Sequence, residues 1–337
     1  MNTYQEIIKR LDRGAIYLFT LVSGERLGEK AIWQDGKLCG MNPELEEFWR
    51  DAVTLVDLTL CPYRYDASGQ TVFVERLIEE PELVICGGGH ISLELALLAG
   101  YLEYPYTVID DREEFANRER FPGAKECICR DFKEVLSERE FSSNTYYIIV
   151  TRGHAADLEC LELVLRRPYG YVGMIGSRAK VKKVMDTLRD RGVSEEKLSQ
   201  VHAPIGLPIG GQTPKEIGVS IIAQLILVKN EDQPSSYLER RLKEAIRTGG
   251  KKMLLRIIGK RGSAPRGVGS RMIVYPDGSL CGTIGGGVVE YKAVENAVKL
   301  LQEGCERAVE TYRLDTGSAA SLGMWCGGEV DVLFETC

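Results

Sequence analysis

The five residues Cys86-Gly87-Gly88-Gly89-His90 constrain this chain more than any other feature. They follow a short apolar run, Leu83-Val84-Ile85-Cys86, and precede a segment in which Ile91, Leu95 and Leu98 recur at helical spacing. Strand, glycine turn and helix in that order give such a turn its meaning. The glycines let the backbone approach a phosphate, and the helix N-terminus offers free N–H groups and a partial positive charge. A tight turn without a ligand is the alternative. Against it, Asp110 ends the next strand, where an acid would accept from ribose hydroxyls. The third fingerprint position holds Ser92 in place of glycine or alanine, so the dinucleotide pattern is incomplete.

Three further apolar runs, Tyr106 to Ile109, Tyr146 to Val150 and Tyr171 to Ile175, each end in a polar or glycine turn followed by a helical pattern. That alternation is an α/β signature, a Rossmann-like doubly wound parallel sheet expected over residues 79–230. The polar stretch Asn230 to Ser236 closes it. Gly176, Ser177 and Arg178 or Lys180 form a second strand-to-helix turn, either an anion seat or a capped helix with basic surface residues. The chain has only three histidines, His90, His154 and His202, all in turns of this one segment. Strand ends converge in an open parallel sheet, so His90 and His154 could meet Asp110 and Asp157 as a metal or proton-transfer cluster. The alternative is that each histidine satisfies loop carbonyls.

The two flanks resemble each other. Ile32-Trp33-Gln34-Asp35-Gly36-Lys37-Leu38-Cys39-Gly40 matches Val274-Tyr275-Pro276-Asp277-Gly278-Ser279-Leu280-Cys281-Gly282 as strand, Asp-Gly turn, strand. A helix and an apolar strand precede each block, and a helix follows it. We therefore expect two copies of a small α+β glycine-rich domain, at 1–78 and 231–337, flanking the central one. The C-terminal copy keeps Arg261-Gly262-Ser263-Ala264-Pro265-Arg266, Gly285-Gly286-Gly287 and Cys326-Gly327-Gly328. The N-terminal copy has Asn42-Pro43-Glu44 at the second and nothing at the third, so it is the degraded one. Arg261 and Arg266 bracket a loop suited to a bulky anion. Cys326 is either an accessible thiol, able to take a soft metal or sulfur, or a small buried residue.

Net charge is −6, from 43 basic and 49 acidic residues, with no basic cluster of the kind nucleic acid requires. No apolar run is long enough to span a bilayer, and the N-terminus lacks the pattern of a signal peptide. Ten cysteines without an export signal point to free thiols and a cytoplasmic setting.

Together these blocks resemble the XdhC/CoxI family, accessory proteins of molybdenum hydroxylases such as xanthine dehydrogenase. The resemblance rests on Arg261 to Arg266, Gly282 to Gly287 with Glu290, Cys326 to Val330, Cys86 to His90, Val108 to Arg112, Thr151 to His154, Met174 to Arg178 and Pro204 to Thr213. It implies a chaperone more than a catalyst. Such a protein would bind molybdenum cofactor, as molybdopterin or its dinucleotide form, while a cysteine desulfurase supplies sulfur, and deliver it to an apo molybdenum hydroxylase. The implied binding residues are Gly87, Gly88, Gly89, His90, Asp110, His154, Gly176, Ser177, Arg178, Arg261, Ser263, Arg266, Gly285, Gly286, Gly287, Glu290 and Cys326, the last also a molybdenum ligand. The family places its glycine-rich domain before the Rossmann domain, whereas here the intact copy comes last. A homodimer would restore the usual pairing in trans. The competing expectation is an NAD(P)-dependent oxidoreductase with Asp110 on the ribose and His154 as acid/base.

Overall fold

In the computed structural model, which describes residues 3–11, 13–231, 236–263, 266–313 and 328–337, the chain divides into two compact units. One joins Met1–Glu79 to Gln233–Cys337, and the other is Glu80–Asp232. In chain order the first flank holds α1 (Thr3–Leu11), β1 (Ile16–Leu21), β2 (Lys30–Gln34), β3 (Lys37–Cys39), α2 (Glu46–Thr54), β4 (Tyr63–Ala67) and β5 (Gln70–Glu79). Asp35 and Gly36 both have positive φ, 51° and 72°, in the two-residue turn between β2 and β3. Helix α2 buries Trp49 and Ala52 against Phe19, Leu21, Val72 and Val74 of the sheet.

The central unit follows with β6 (Leu83–Cys86), α3 (His90–Tyr101), β7 (Tyr106–Asp110), β8 (Glu126–Cys129), α4 (Phe132–Glu138), β9 (Tyr146–Ile149), α5 (His154–Val164), β10 (Tyr171–Met174), α6 (Arg178–Asp190), α7 (Glu195–Ser199) and α8 (Pro214–Glu231). Its five strands lie in the order β10-β9-β6-β7-β8 and all pair in parallel. Alternate residues of β6 face opposite cores: Leu83 and Ile85 pack with α3 and α8, Val84 and Cys86 with α4, α5 and α6. This is the doubly wound sheet expected from the sequence, with one strand more. Strand β8 escapes a reading by apolar runs because it is a half-exposed edge, Glu126-Cys127-Ile128-Cys129. Strand order reverses between β6 and β9, and ligands of such sheets bind outside the strand ends at that switch point.

The second flank contains β11 (Ser236–Leu238), α9 (Arg240–Arg247), β12 (Met253–Arg261), β13 (Arg271–Val274), β14 (Leu280–Gly282), α10 (Gly287–Glu303), β15 (Arg307–Arg313) and β16 (Glu329–Thr336). Its sheet runs β14-β13-β12-β16-β15, and the first flank runs β3-β2-β1-β5 with β4 beyond β5. The two orders are the same order. The register agrees as well: Leu18 pairs with Ile32 and Glu75, and Leu254 with Ile273 and Glu335. Strand β11 adds to β5 in parallel, tying the second flank into the first flank's sheet.

Each sheet packs one face on its own helix and turns the other toward its twin. Tyr4, Ile7, Leu18, Ile32 and Leu77 of the first copy share a core with Leu242, Ile246, Leu254 and Ile273 of the second. Charges are buried in that contact. The register makes Lys30 equivalent to Arg271, Glu75 to Glu335 and Thr20 to Arg256. The pairs form across the copies: Lys30 with Glu335, and Arg271 with Glu75 at 2.5 Å. Arg256 reaches both glutamates and donates to Thr20 Oγ1 at 3.0 Å. Glu75 is 0% exposed, Arg256 1% and Glu335 2%, and this pairing, with the Tyr4 hydroxyl donating to Glu335, offsets their loss of water. No helix among the described residues is long and apolar enough to cross a membrane.

Candidate functional site

In the central unit the first helix entry is built by backbone constraints. Gly87 has φ 107°, and a side chain there would strike the carbonyl of Val150. A side chain at Gly88 would strike the carbonyl of Phe115, whereas Gly89 faces open space. Chain packing therefore accounts for the first two glycines, and only the third is left facing an approaching ligand. Ser92 is fully buried and donates to the Gly87 carbonyl at 2.5 Å, bracing the turn from inside the helix. Gly89 and Gly153 are the N-caps of α3 and α5, and neither helix start is capped by a side chain. These two helices follow the adjacent strands β6 and β9, so the switch point is flanked by two open helix N-termini.

The side chains expected there meet different fates. His90 and His154 are exposed first residues of those helices. Asp157 is fully buried and accepts from the Thr151 hydroxyl at 2.7 Å, from Thr151 N–H at 3.2 Å and from Lys180. It holds the loop after β9 and the first turn of α6 together. His202 lies against Tyr171, ring centroids 4.7 Å apart. Among the described residues, no three His, Cys, Asp or Glu side chains gather as a metal site. Ser177 caps α6 by accepting from Lys180 N–H at 3.3 Å, and Arg178 is exposed beside it. Gly176 sits against the Lys180 stem.

Asp110 is buried and committed within the chain. It accepts from Gly88 N–H at 2.8 Å and holds the Arg112 guanidinium at 2.9 and 3.0 Å. Burial pushes its carboxyl upward, but the bonds from Arg112 and Gly88 outweigh this and hold it below the ordinary aspartate range. The sequence marks Arg112 only as part of the Val108 to Arg112 block and assigns no role to it, to Phe115 or to Arg120. The one available signal was Arg112 two positions after the strand-end acid.

The intact glycine-rich copy has a second entry of another kind. Gly285, Gly286 and Gly287 all have positive φ, 127°, 71° and 68°, which no other residue adopts in succession without strain. Nothing stands within 4 Å of where side chains at Gly286 and Gly287 would be. Glu290, in the first turn of α10, accepts from the Thr283 hydroxyl at 2.5 Å, Ile284 N–H at 3.0 Å and Gly286 N–H at 3.1 Å. Partial burial raises its carboxyl, and these donors more than reverse that, keeping it below the usual glutamate range. Glu290 is thus the brace of the loop, and Gly287 at its end is the open position.

Arg261 is held by Glu329 at 2.7 Å and Asp331 at 3.5 Å. Arg266 is exposed and forms no ion pair with another described residue. Ser263 is exposed, and its carbonyl packs on Gly328, which has no room for a side chain. Cys326 lies outside the described residues.

The chain matches the XdhC Rossmann domain over residues 83–225 and the XdhC and CoxI family over 245–313. A Bacillus subtilis protein described as a probable subunit of xanthine dehydrogenase is 26% identical over 46% of this chain and 45% of its own. The molybdenum cofactor insertion chaperone PaoD of Escherichia coli is 33% identical over 26% of this chain and 27% of its own. The chain thus spans less than half the length of the curated relatives it matches. A solved structure described as a xanthine dehydrogenase from Bacillus halodurans shares the fold, with a TM-score of 0.51 at 22% identity over 67% of this chain and 65% of that one.

Proposed function

Because the chain belongs to the XdhC and CoxI family, we propose that it is an accessory protein that holds molybdenum cofactor during sulfuration and hands it to a xanthine-dehydrogenase-type hydroxylase. The observation that carries this reading is the survival of the second glycine loop. Three successive left-handed glycines, braced by Glu290, stand open at Gly286 and Gly287. The residues suit an anionic pterin: Gly287 and the Arg266 guanidinium, which forms no ion pair among the described residues, would take its phosphate, and the Cys326 thiol would be the candidate ligand for the metal. The cofactor brings the redox metal, and this chain's part is to bind and shield it. Its partners would be a cysteine desulfurase and the apo hydroxylase, with a homodimer bringing the domains into the family's usual pairing.

The competing oxidoreductase reading loses ground on one point, since Asp110 has both oxygens engaged by Gly88 and Arg112. Protein purified from a host that makes molybdopterin should carry pterin and molybdenum in near-stoichiometric amounts. Arg266→Ala and Cys326→Ala should lower that content. Pterin-free protein that also fails to bind on titration would sink the proposal.

A further inference from the structure

An acid at the end of the second parallel strand reads a ribose diol only if its oxygens are free. Asp110 is 2% exposed, and both oxygens are taken, by Gly88 N–H, by Arg112 N–H at 3.1 Å and by the Arg112 guanidinium. Admitting a hydroxyl there would exchange a bidentate ion pair for a single bond from an uncharged donor and leave the guanidinium without its carboxylate, which costs more than it returns. The loop that follows β7 lies on the glycine turn instead. The Phe115 carbonyl fills the place of a Gly88 side chain, and Arg120 Nε donates to the Gly88 carbonyl at 2.9 Å. Two half-buried guanidiniums approach the same Phe115 ring, Arg112 at 3.6 Å and Arg120 at 5.0 Å from its centroid. Carboxylates face the first of these, Asp110 with Asp111 and Glu114. The terminal nitrogens of Arg120 meet no carboxylate among the described residues.

We propose that this end of the crevice selects a ligand carrying a phosphate monoester over one carrying a free ribose diol. Arg120 makes the contact, and Arg112, locked by Asp110, is the second guanidinium beside it. The arginine fork and the ring under it match a doubly charged phosphate; a diol would find donors with no acceptor left. This deepens the cofactor-binding reading and rests on it for the crevice being occupied. Two sources share the chemistry: the phosphate that ends a molybdopterin, and the 2′-phosphate of a nucleotide.

The test pairs two probes that differ by one phosphate, NADP+ and NAD+, titrated into the wild-type chain, Arg120→Ala and Arg120→Gln, with pterin content measured on the same preparations. Arg120→Gln keeps a donor for the Gly88 carbonyl and removes only the charge. If the source is a nucleotide, NADP+ binds about tenfold or more tighter than NAD+, and both variants abolish the preference. If it is the pterin, neither dinucleotide binds, and retained pterin falls about tenfold in both variants. Equal affinity for the two dinucleotides overturns the proposal. So does a preference for NADP+, or a pterin content, that both variants leave unchanged. Wild-type protein without pterin but with the NADP+ preference would fail the cofactor reading and leave this one standing.

Discussion

The two flanking copies share strand order and register but treat the entry to their helix in opposite ways. Gly40 and Gly282 occupy the same place in the hairpin, with φ 61° and 84°. After Gly282 the chain passes through three left-handed glycines braced by Glu290. After Gly40 it passes through Asn42 and Pro43, with the Asn42 side chain accepting from Glu44 N–H at 3.2 Å. One entry is an open loop that only glycine can form; the other is an ordinary capped start. What remains common to both copies is the face they turn to each other. A buried glutamate in each copy pairs with a cation of the other, so neither framework can drift without leaving a charge unpaired. The interface constrains both copies, and ligand chemistry would constrain one.

The largest effects should come from that interface, and they should be nearly equal in the two copies. Glu75→Ala leaves Arg271 without its carboxylate and Arg256 with only Glu335, and Glu335→Ala leaves Lys30 without its carboxylate and Arg256 with only Glu75. Each should cost about 3–5 kcal/mol in urea unfolding, the usual outcome of removing one partner of a buried pair. A Glu75→Ala chain as stable as the wild type would break that symmetry.

Glu335 also sets an acid limit. Burial alone would raise the Glu335 carboxyl, but the charges of Lys30 and Arg256, with bonds from Lys30 and Tyr4, hold it below the ordinary range. A depressed carboxyl stabilises the fold above its unfolded value of about 4.3 and loses that contribution as pH falls through the lower folded value. Unfolding midpoints should be flat between about pH 5 and 7 and fall below about pH 4, with a shallower fall in Glu335→Gln.

Next in size are changes to the open loop. Gly286→Ala places a side chain at φ 71°, which should cost about 1–2 kcal/mol and lower retained pterin. Glu290→Gln removes the charge that gathers Thr283, Ile284 and Gly286, with a cost of about 1–3 kcal/mol. Melting curves read alongside pterin content separate loss of fold from loss of ligand.

Much of this was legible in the chain itself. Alternating apolar runs and glycine turns expose the parallel sheet, because a buried strand needs a continuous apolar stretch. The repeated Asp-Gly hairpin exposes the duplication. The buried charges were not legible: Glu75, Arg256 and Glu335 sit in strands where a charge ordinarily marks the solvent side, and each has a partner in the other copy. Asp110 shows the same limit at close range. A strand-end acid reads as a ribose acceptor until the Arg112 two residues later folds back on it. Asp157 likewise reads as a neighbour for the histidines, yet Thr151 and Lys180 occupy it. Sequence position gives proximity along the chain, whereas a carboxylate's availability depends on which donor reaches it first.

The smallest expected effect tells most about how the two copies divide their roles. Asn42→Ala removes the side-chain cap at the degraded entry, where Asn42 is neither buried nor part of the interface. The loss should be about 0.5–1 kcal/mol, the ordinary worth of a surface cap. Pterin content should not change at all. Asn42 stands where the other copy has its glycine loop, so equal retention in Asn42→Ala beside reduced retention in Gly286→Ala would assign the binding role to one copy. A fall in pterin on Asn42→Ala, without a matching loss of stability, would show that the first copy also touches the ligand and that its altered entry is specialised instead of degraded.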